Sequence, residues 1–174
     1  FLVRHGGPTP EEIQETFPPF VNVVAGDLVR VLDPAVGGVS FFNGFGGTVY
    51  GPGGGPGSGT LNSLGGISGY SGPYGPLVGV FLGSGAPTGA PPATINYNDA
   101  AQLAQLSRTP SLGQVFYIGT GQVGSAFREF TAPVGATRLF FGIPDGFGFV
   151  GAPGAYDDND GAYRIRVGIN EIPT

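Results

Sequence analysis

Hydrophobic and polar positions alternate most clearly near the end of the chain. Thr137, Leu139 and Phe141 alternate with Arg138 and Phe140, and Tyr163, Ile165, Val167 and Ile169 alternate with Ala162, Arg164 and Arg166. A period of two predicts strands with one buried face, so Tyr163, Ile165 and Val167 are expected inward and Arg164 and Arg166 outward. With a tight turn at Pro133-Val134-Gly135 before them, these strands predict a terminal hairpin joined by a long polar loop. Leu77 to Leu82 (LVGVFL) is apolar throughout and predicts a buried strand. Phe20 to Val24, Asp27 to Leu32, Gln114 to Ile118 and Ala126 to Ala132 complete the strand set, with a short strand at the N-terminus.

Two short helices are predicted. In Thr9-Pro10-Glu11-Glu12 the threonine caps, the proline suits the first helical position and Glu12 completes a capping box, and Pro18-Pro19 ends the helix. Asp99 caps a second helix running to Arg108, with Leu103 and Leu106 on one face and Thr109-Pro110 as its stop. Some eight strands and two helices predict an all-β fold, an antiparallel β-sandwich, in one domain spanning 1–174.

Composition narrows the function classes. The 35 glycines and 17 prolines make up about 30 % of the 174 residues, which borders on disorder. Fourteen Phe, seven Tyr and a charged fraction of only 11 % argue instead for a folded β domain rich in turns. The net charge of −5, with seven Arg and no Lys, argues against a nucleic-acid partner. Absence of Cys excludes a disulfide framework and thiol chemistry. No apolar run is long enough to span a bilayer, and no signal peptide is visible, so an export signal would already have been removed. Low charge, high Gly and the lack of Cys, Met and Trp suit an extracellular, secreted protein.

Catalytic constellations fail in turn. Leu2-Val3-Arg4-His5-Gly6 resembles the signature of histidine phosphatases and phosphoglycerate mutases, but His5 is the sole histidine and strand–helix alternation is missing. The same lone His5 rules out a Ser-His-Asp arrangement. The Gly-rich stretch 43–76 lacks the Lys-Ser/Thr of a phosphate cradle and has no Gly-X-Y period. It is expected to be a long loop, punctuated by Tyr50, Tyr70 and Tyr74. Those rings are suited to stacking on sugars, packing against another subunit, or pinning the loop to its own core. Contact with a partner through 43–76, with Tyr70 as the ligand-binding residue, is the functional expectation.

The acidic loop carries the remaining chemistry. Of seven Asp in the chain, Asp145, Asp157, Asp158 and Asp160 fall within sixteen positions, with Asn159 among them. Crowded carboxylates repel unless a cation or solvent relieves them, and hard oxygen donors without Cys or His favour calcium. A solvated loop built from turn residues is the alternative. Two acids in one loop more often bind a cation than flank a scissile glycosidic bond, so no enzyme is expected.

Ala126-Phe127-Arg128-Glu129-Phe130-Thr131-Ala132-Pro133, Ala136-Thr137-Arg138-Leu139-Phe140-Phe141-Gly142-Ile143-Pro144-Asp145 and Pro153-Gly154-Ala155-Tyr156-Asp157-Asp158-Asn159-Asp160-Gly161 lead into the alternating terminal strand. In this last third the chain resembles the bacterial calcium-dependent galactose-binding lectins and related lectin-like domains of secreted bacterial proteins. The resemblance implies a jelly-roll-type sandwich and a Ca2+ site with side-chain ligands Asp145, Asp158 and Asn159 and the Ala155 carbonyl. Val49-Tyr50-Gly51-Pro52 resembles the family segment whose tyrosine supplies a carbonyl, which adds Tyr50. The loop from Asp145 to Ala155 is longer than in those lectins, and residues 53–66 contain no His or Gln to match their sugar contacts. Two roles follow: a lectin-like carbohydrate-binding and adhesion module, or a subunit that polymerises with other copies into an extracellular filament or matrix.

Overall fold

A computed structural model describes residues 18–42 and 48–173. The predicted N-terminal strand, the helix starting at Thr9 and His5 lie outside the described residues, as does the 43–47 part of the Gly-rich stretch. The strands are β1 (Phe20–Asn22), β2 (Leu28–Val31), β3 (Val36–Ser40), β4 (Ser58–Leu61), β5 (Tyr70–Pro73), β6 (Val78–Leu82), β7 (Ser107–Arg108), β8 (Val115–Tyr117), β9 (Gln122–Val123), β10 (Ala126–Phe127), β11 (Glu129–Thr131), β12 (Arg138–Gly142), β13 (Val150–Gly151), β14 (Asp160–Arg164) and β15 (Val167–Ile169). They form sheets ordered β1-β12-β6-β8, β15-β2-β11-β7 and β13-β4-β5, and two ribbons, β14-β3 and β10-β9. All pairings are antiparallel except β11 with β7 and β13 with β4. The all-β class is therefore as expected.

The two four-stranded sheets meet at one core. Phe81, Phe116, Leu139 and Phe141 of the first pack with Val29, Val31 and Phe130 of the second, and Phe81, Phe116 and Leu139 are fully shielded from solvent. Tyr163, Ile165 and Val167 pack against this cluster while Arg164 and Arg166 are exposed, so the register of the last strands is as the alternation predicts. Each fully buried aromatic removes some 150–250 Å² from water, and these rings dominate the cohesion of the core.

The terminal hairpin does not form. Strand β12 sits between β1 and β6, while β14 pairs with β3 and β15 with β2. Residues 165–166 lie in neither strand and separate β14 from β15, so one alternating run serves two sheets. The second predicted helix is only one turn, α1 (Ala100–Ala104). Asp99 caps it by accepting from Ala101 N–H at 2.9 Å. The buried Arg128 guanidinium donates to the carbonyls of Leu103 and Gln105 at its other end, and Ser107–Arg108 then turn into β7. Cationic capping of last-turn carbonyls favours termination there.

The Gly-rich stretch also differs from expectation. It is not a single loop but contains β4 and β5, and its tyrosines turn inward. Tyr70 is 3 % exposed, stacks on Tyr97 at 6.0 Å and donates its hydroxyl to the Pro73 carbonyl at 2.9 Å. Tyr74 stacks on Phe149 at 4.3 Å, and Tyr50 packs on Phe41 at 5.6 Å. Glycine is required where these rings lie on the backbone: a Cβ at Gly57 would overlap the Tyr74 ring. Of the three uses open to these rings, pinning the segment to its own core is the one observed.

Candidate functional site

The acidic loop begins where β12 stops. Ile143-Pro144 cannot continue the ladder, because proline lacks the N–H, and Asp145 follows as a residue only 2 % exposed. The loop is closed by the Gly154 N–H, which donates to the Asp145 carbonyl at 3.0 Å. Phe149 anchors its middle, buried between Phe41 (5.3 Å) and Tyr74 (4.3 Å). Ala155 then takes the left-handed conformation (φ 61°, ψ 23°), unusual for a residue with a Cβ. It opens the 3-10 turn Tyr156–Asp158, which brings Asp158 and Asn159 back to Asp145.

At the centre, Asp145 Oδ1 accepts from the Gly146 N–H at 2.7 Å, while Oδ2 is buried with no hydrogen-bond partner. Both side-chain atoms of Asn159, Oδ1 and Nδ2, are likewise buried without a well-formed hydrogen bond. Burial pushes the Asp145 carboxyl up to about 7. The Gly146 N–H and the nearby Asn159 amide oppose this, and the charges of Asp158 and Asp157 add to it. A carboxylate so placed is costly when ionised and has oxygen lone pairs to give.

Three of the expected ligands, Asp145, Asp158 and Asn159, are thus brought together, with Ala155 at the start of the same turn. Tyr50 belongs to another constellation. Its carbonyl accepts from the Val39 N–H at 2.9 Å and lies 3.2 Å from the Tyr163 hydroxyl, whose single proton has its shorter partner in the Gly75 carbonyl at 2.7 Å. Tyr70 is part of the interior, 3 % exposed, and borders the cleft on the outer face of the first sheet. Among the described residues no three His, Cys, Asp or Glu side chains form a ready metal cage. The donor set is two carboxylates and one amide, to which backbone carbonyls or water would have to add for the 6–8 oxygens calcium takes. The orphaned Asp145 Oδ2 and Asn159 Oδ1 fit such a hard cation.

Sequence reasoning missed the second face of the first sheet, where Phe20, Val80 and Phe140 line a cleft beside Arg138. A signal was present: Phe140 lies on the face of β12 assigned to solvent, and LVGVFL is apolar on both faces. Among the described residues no helix is long and apolar enough to cross a membrane. Comparison with protein-family models, with curated proteins and with solved structures gives no match for this chain.

Proposed function

We propose that this chain is a secreted, non-enzymatic calcium-binding β-sandwich of jelly-roll, lectin-like type, working outside the cell as a carbohydrate-binding or adhesion module. The observation that carries the reading is the convergence of Asp145, Asp158 and Asn159, with the buried Asp145 Oδ2 and Asn159 Oδ1 lacking a well-formed hydrogen bond. Burying an ionised carboxylate beside two more is unfavourable without a counter-charge. A cation supplies one, and Ca2+ suits an all-oxygen set. The metal would tie the end of β12 to the turn before β14, fixing the loop that a sugar would meet. Calorimetric titration of the chelated protein with calcium, followed by retention on immobilised sugars with and without calcium, tests both halves. Absence of calcium heat together with a melting temperature indifferent to chelator refutes the metal; calcium binding without calcium-dependent retention on any sugar refutes the lectin-like role alone.

A second reading, a self-assembling subunit of an extracellular filament or matrix, is favoured by a different observation. Strand β14 pairs only with β3 among the described strands, and all its residues except Tyr163 are exposed. Phe147 (75 %) and Val150 (64 %) are exposed in the loop before it. An exposed strand edge is the geometry for adding a strand from another copy, and exposed apolar side chains add contact area. Sedimentation with and without calcium separates the two: a discrete species supports the module, long polymers the subunit.

A further inference from the structure

Strand β12 has two faces with opposite fates. Leu139 and Phe141 enter the core between the four-stranded sheets, while Arg138, Phe140 and Gly142 point the other way. On that second face Phe140 lies beside Phe20 (5.1 Å between centroids) and is paired across the ladder with Val80. Opposite stand Leu61 and Ile67 from the Gly-rich segment. They cover part of this face, packed in one cluster with Val78, Val80 and Val115, and a cleft of about 600 Å³ remains beside that contact. That size lies inside the roughly 300–1,000 Å³ typical of small-molecule sites.

The cleft wall is mostly apolar, with Asn62, Ser68, Ser84 and Tyr156 as scattered polar residues and Arg138 as its one cation. Arg138 donates from Nε and Nη2 to the Gly83 carbonyl and from Nη2 to the Gly85 carbonyl at 3.0 Å, and its guanidinium lies 5.1 Å from the Phe140 ring centroid. These partners are neutral. Among the described residues Arg138 makes no salt bridge, and Nη1 is not used by those bonds. A sugar would leave most of its hydroxyls unpaired against such walls, at a cost for each. One positive charge at the edge of an apolar trough matches an apolar body with a single anionic head. A phosphate dianion would call for a second cation.

We infer that the cleft between the β12-β6 face and the Gly-rich segment is a binding site for a single-chain amphiphile with a carboxylate head, of the fatty-acid class, its tail along Phe20, Phe140 and Val80 and its head on Arg138 Nη1. The cleft borders the acidic loop through Pro144, Pro153 and Tyr156, but amphiphile binding there uses none of the proposed calcium ligands and is tested without calcium or sugar. The floor contains its own test position. Gly142 lines the cleft, its φ is ordinary, and a Cβ there would meet nothing within 4 Å, so Gly142→Leu fills the space without a backbone clash.

The experiment is calorimetric titration of the full chain with laurate and with dodecyltrimethylammonium, which share a tail and differ in head charge, both below their micellar concentrations. Laurate is expected to bind about tenfold or more tighter, the range for a charge-assisted hydrogen bond. Arg138→Gln should bring the two ligands to near-equal affinity. Gly142→Leu should remove binding of both while circular dichroism and melting temperature stay those of the parent. The proposal is overturned if laurate does not bind the parent, if Gly142→Leu binds it unchanged, or if head charge makes no difference in the parent, a comparison that needs no variant.

Discussion

The carboxyl of Asp145 should make the metal-free protein less stable as pH rises, opposite to the usual behaviour of a native carboxylate. Its pKa is about 7 in the fold against 3.8 for the free side chain. Between those values the native state holds a proton that the unfolded chain has released, so stability falls with rising pH. The contribution is intact below about pH 4, declines through the interval and is fully lost above about pH 7. A difference of roughly three pKa units, at about 1.4 kcal/mol each, amounts to about 4 kcal/mol. Calcium should reverse this by taking the proton's place. At a concentration about a hundredfold above its dissociation constant it returns about 2.7 kcal/mol. For a chain of this length that is a rise in melting temperature of about 5–11 °C.

The clean perturbation is Asp145→Asn, which keeps the acceptor for the Gly146 N–H and removes the charge. In chelator at pH 8 the variant should melt above the parent, and at pH 4 the two should converge. Added calcium should raise the parent and leave the variant unmoved. The readout is the parent-minus-variant difference across pH, in which carboxylates away from this loop cancel and Asp157 and Asp158 enter only through their coupling to Asp145. A variant that melts below the parent at pH 8 in chelator would refute the argument, because Asp145 would then be ionised and well compensated in the metal-free fold.

Three further substitutions test the packing by chemical denaturation. Val167→Asp puts a charge against the Val31 and Phe130 core, and at roughly 3 kcal/mol or more should largely unfold the protein; Arg166→Ser, which removes exposed bridges to Asp33 (3.2 Å) and Glu171 (3.4 Å), should cost less than about 1 kcal/mol. Gly57→Ala forces its methyl into the Tyr74 ring and should cost about 1–3 kcal/mol, whereas Gly51→Ala, whose Cβ meets nothing within 4 Å, should be nearly neutral. Tyr70→Ala should cost about 3–5 kcal/mol through the cavity it leaves, and Tyr70→Phe only about 1 kcal/mol for the hydroxyl bond to Pro73, so a loss of ligand binding in the alanine variant alone would reflect the fold rather than a contact.

What the sequence made legible, and what it hid, divides along the range of the interactions involved. Alternation is a local property, so the inward set Tyr163, Ile165 and Val167 and the buried pair Leu139 and Phe141 could be read directly. Pairing is not local: β12 runs between β1 and β6, more than a hundred and more than fifty positions away, and nothing in TRLFF names those neighbours. Proximity along the chain suggested a hairpin instead. Strands β4 (SGTL) and β5 (YSGP) hid for another reason. Strand propensity scores side chains, and these strands are strands because they lack them, leaving flat backbone on which Tyr74 and Phe149 lie. The inward tyrosines are the other half of the same device: a segment short of aliphatic groups attaches itself through a few large rings. The candidate cation site was legible because carboxylates are rare in this chain and four of them crowd one loop. The cleft was not, because it depends on how much of the sheet face the Gly-rich segment covers, an extent no residue pattern encodes. Yet Phe140 was a clue in plain view. A phenylalanine on the face of a strand assigned to water, beside an arginine, implies that the face has a cover or a guest, and the tilted Phe20 ring against it and the cleft beyond are consistent with both.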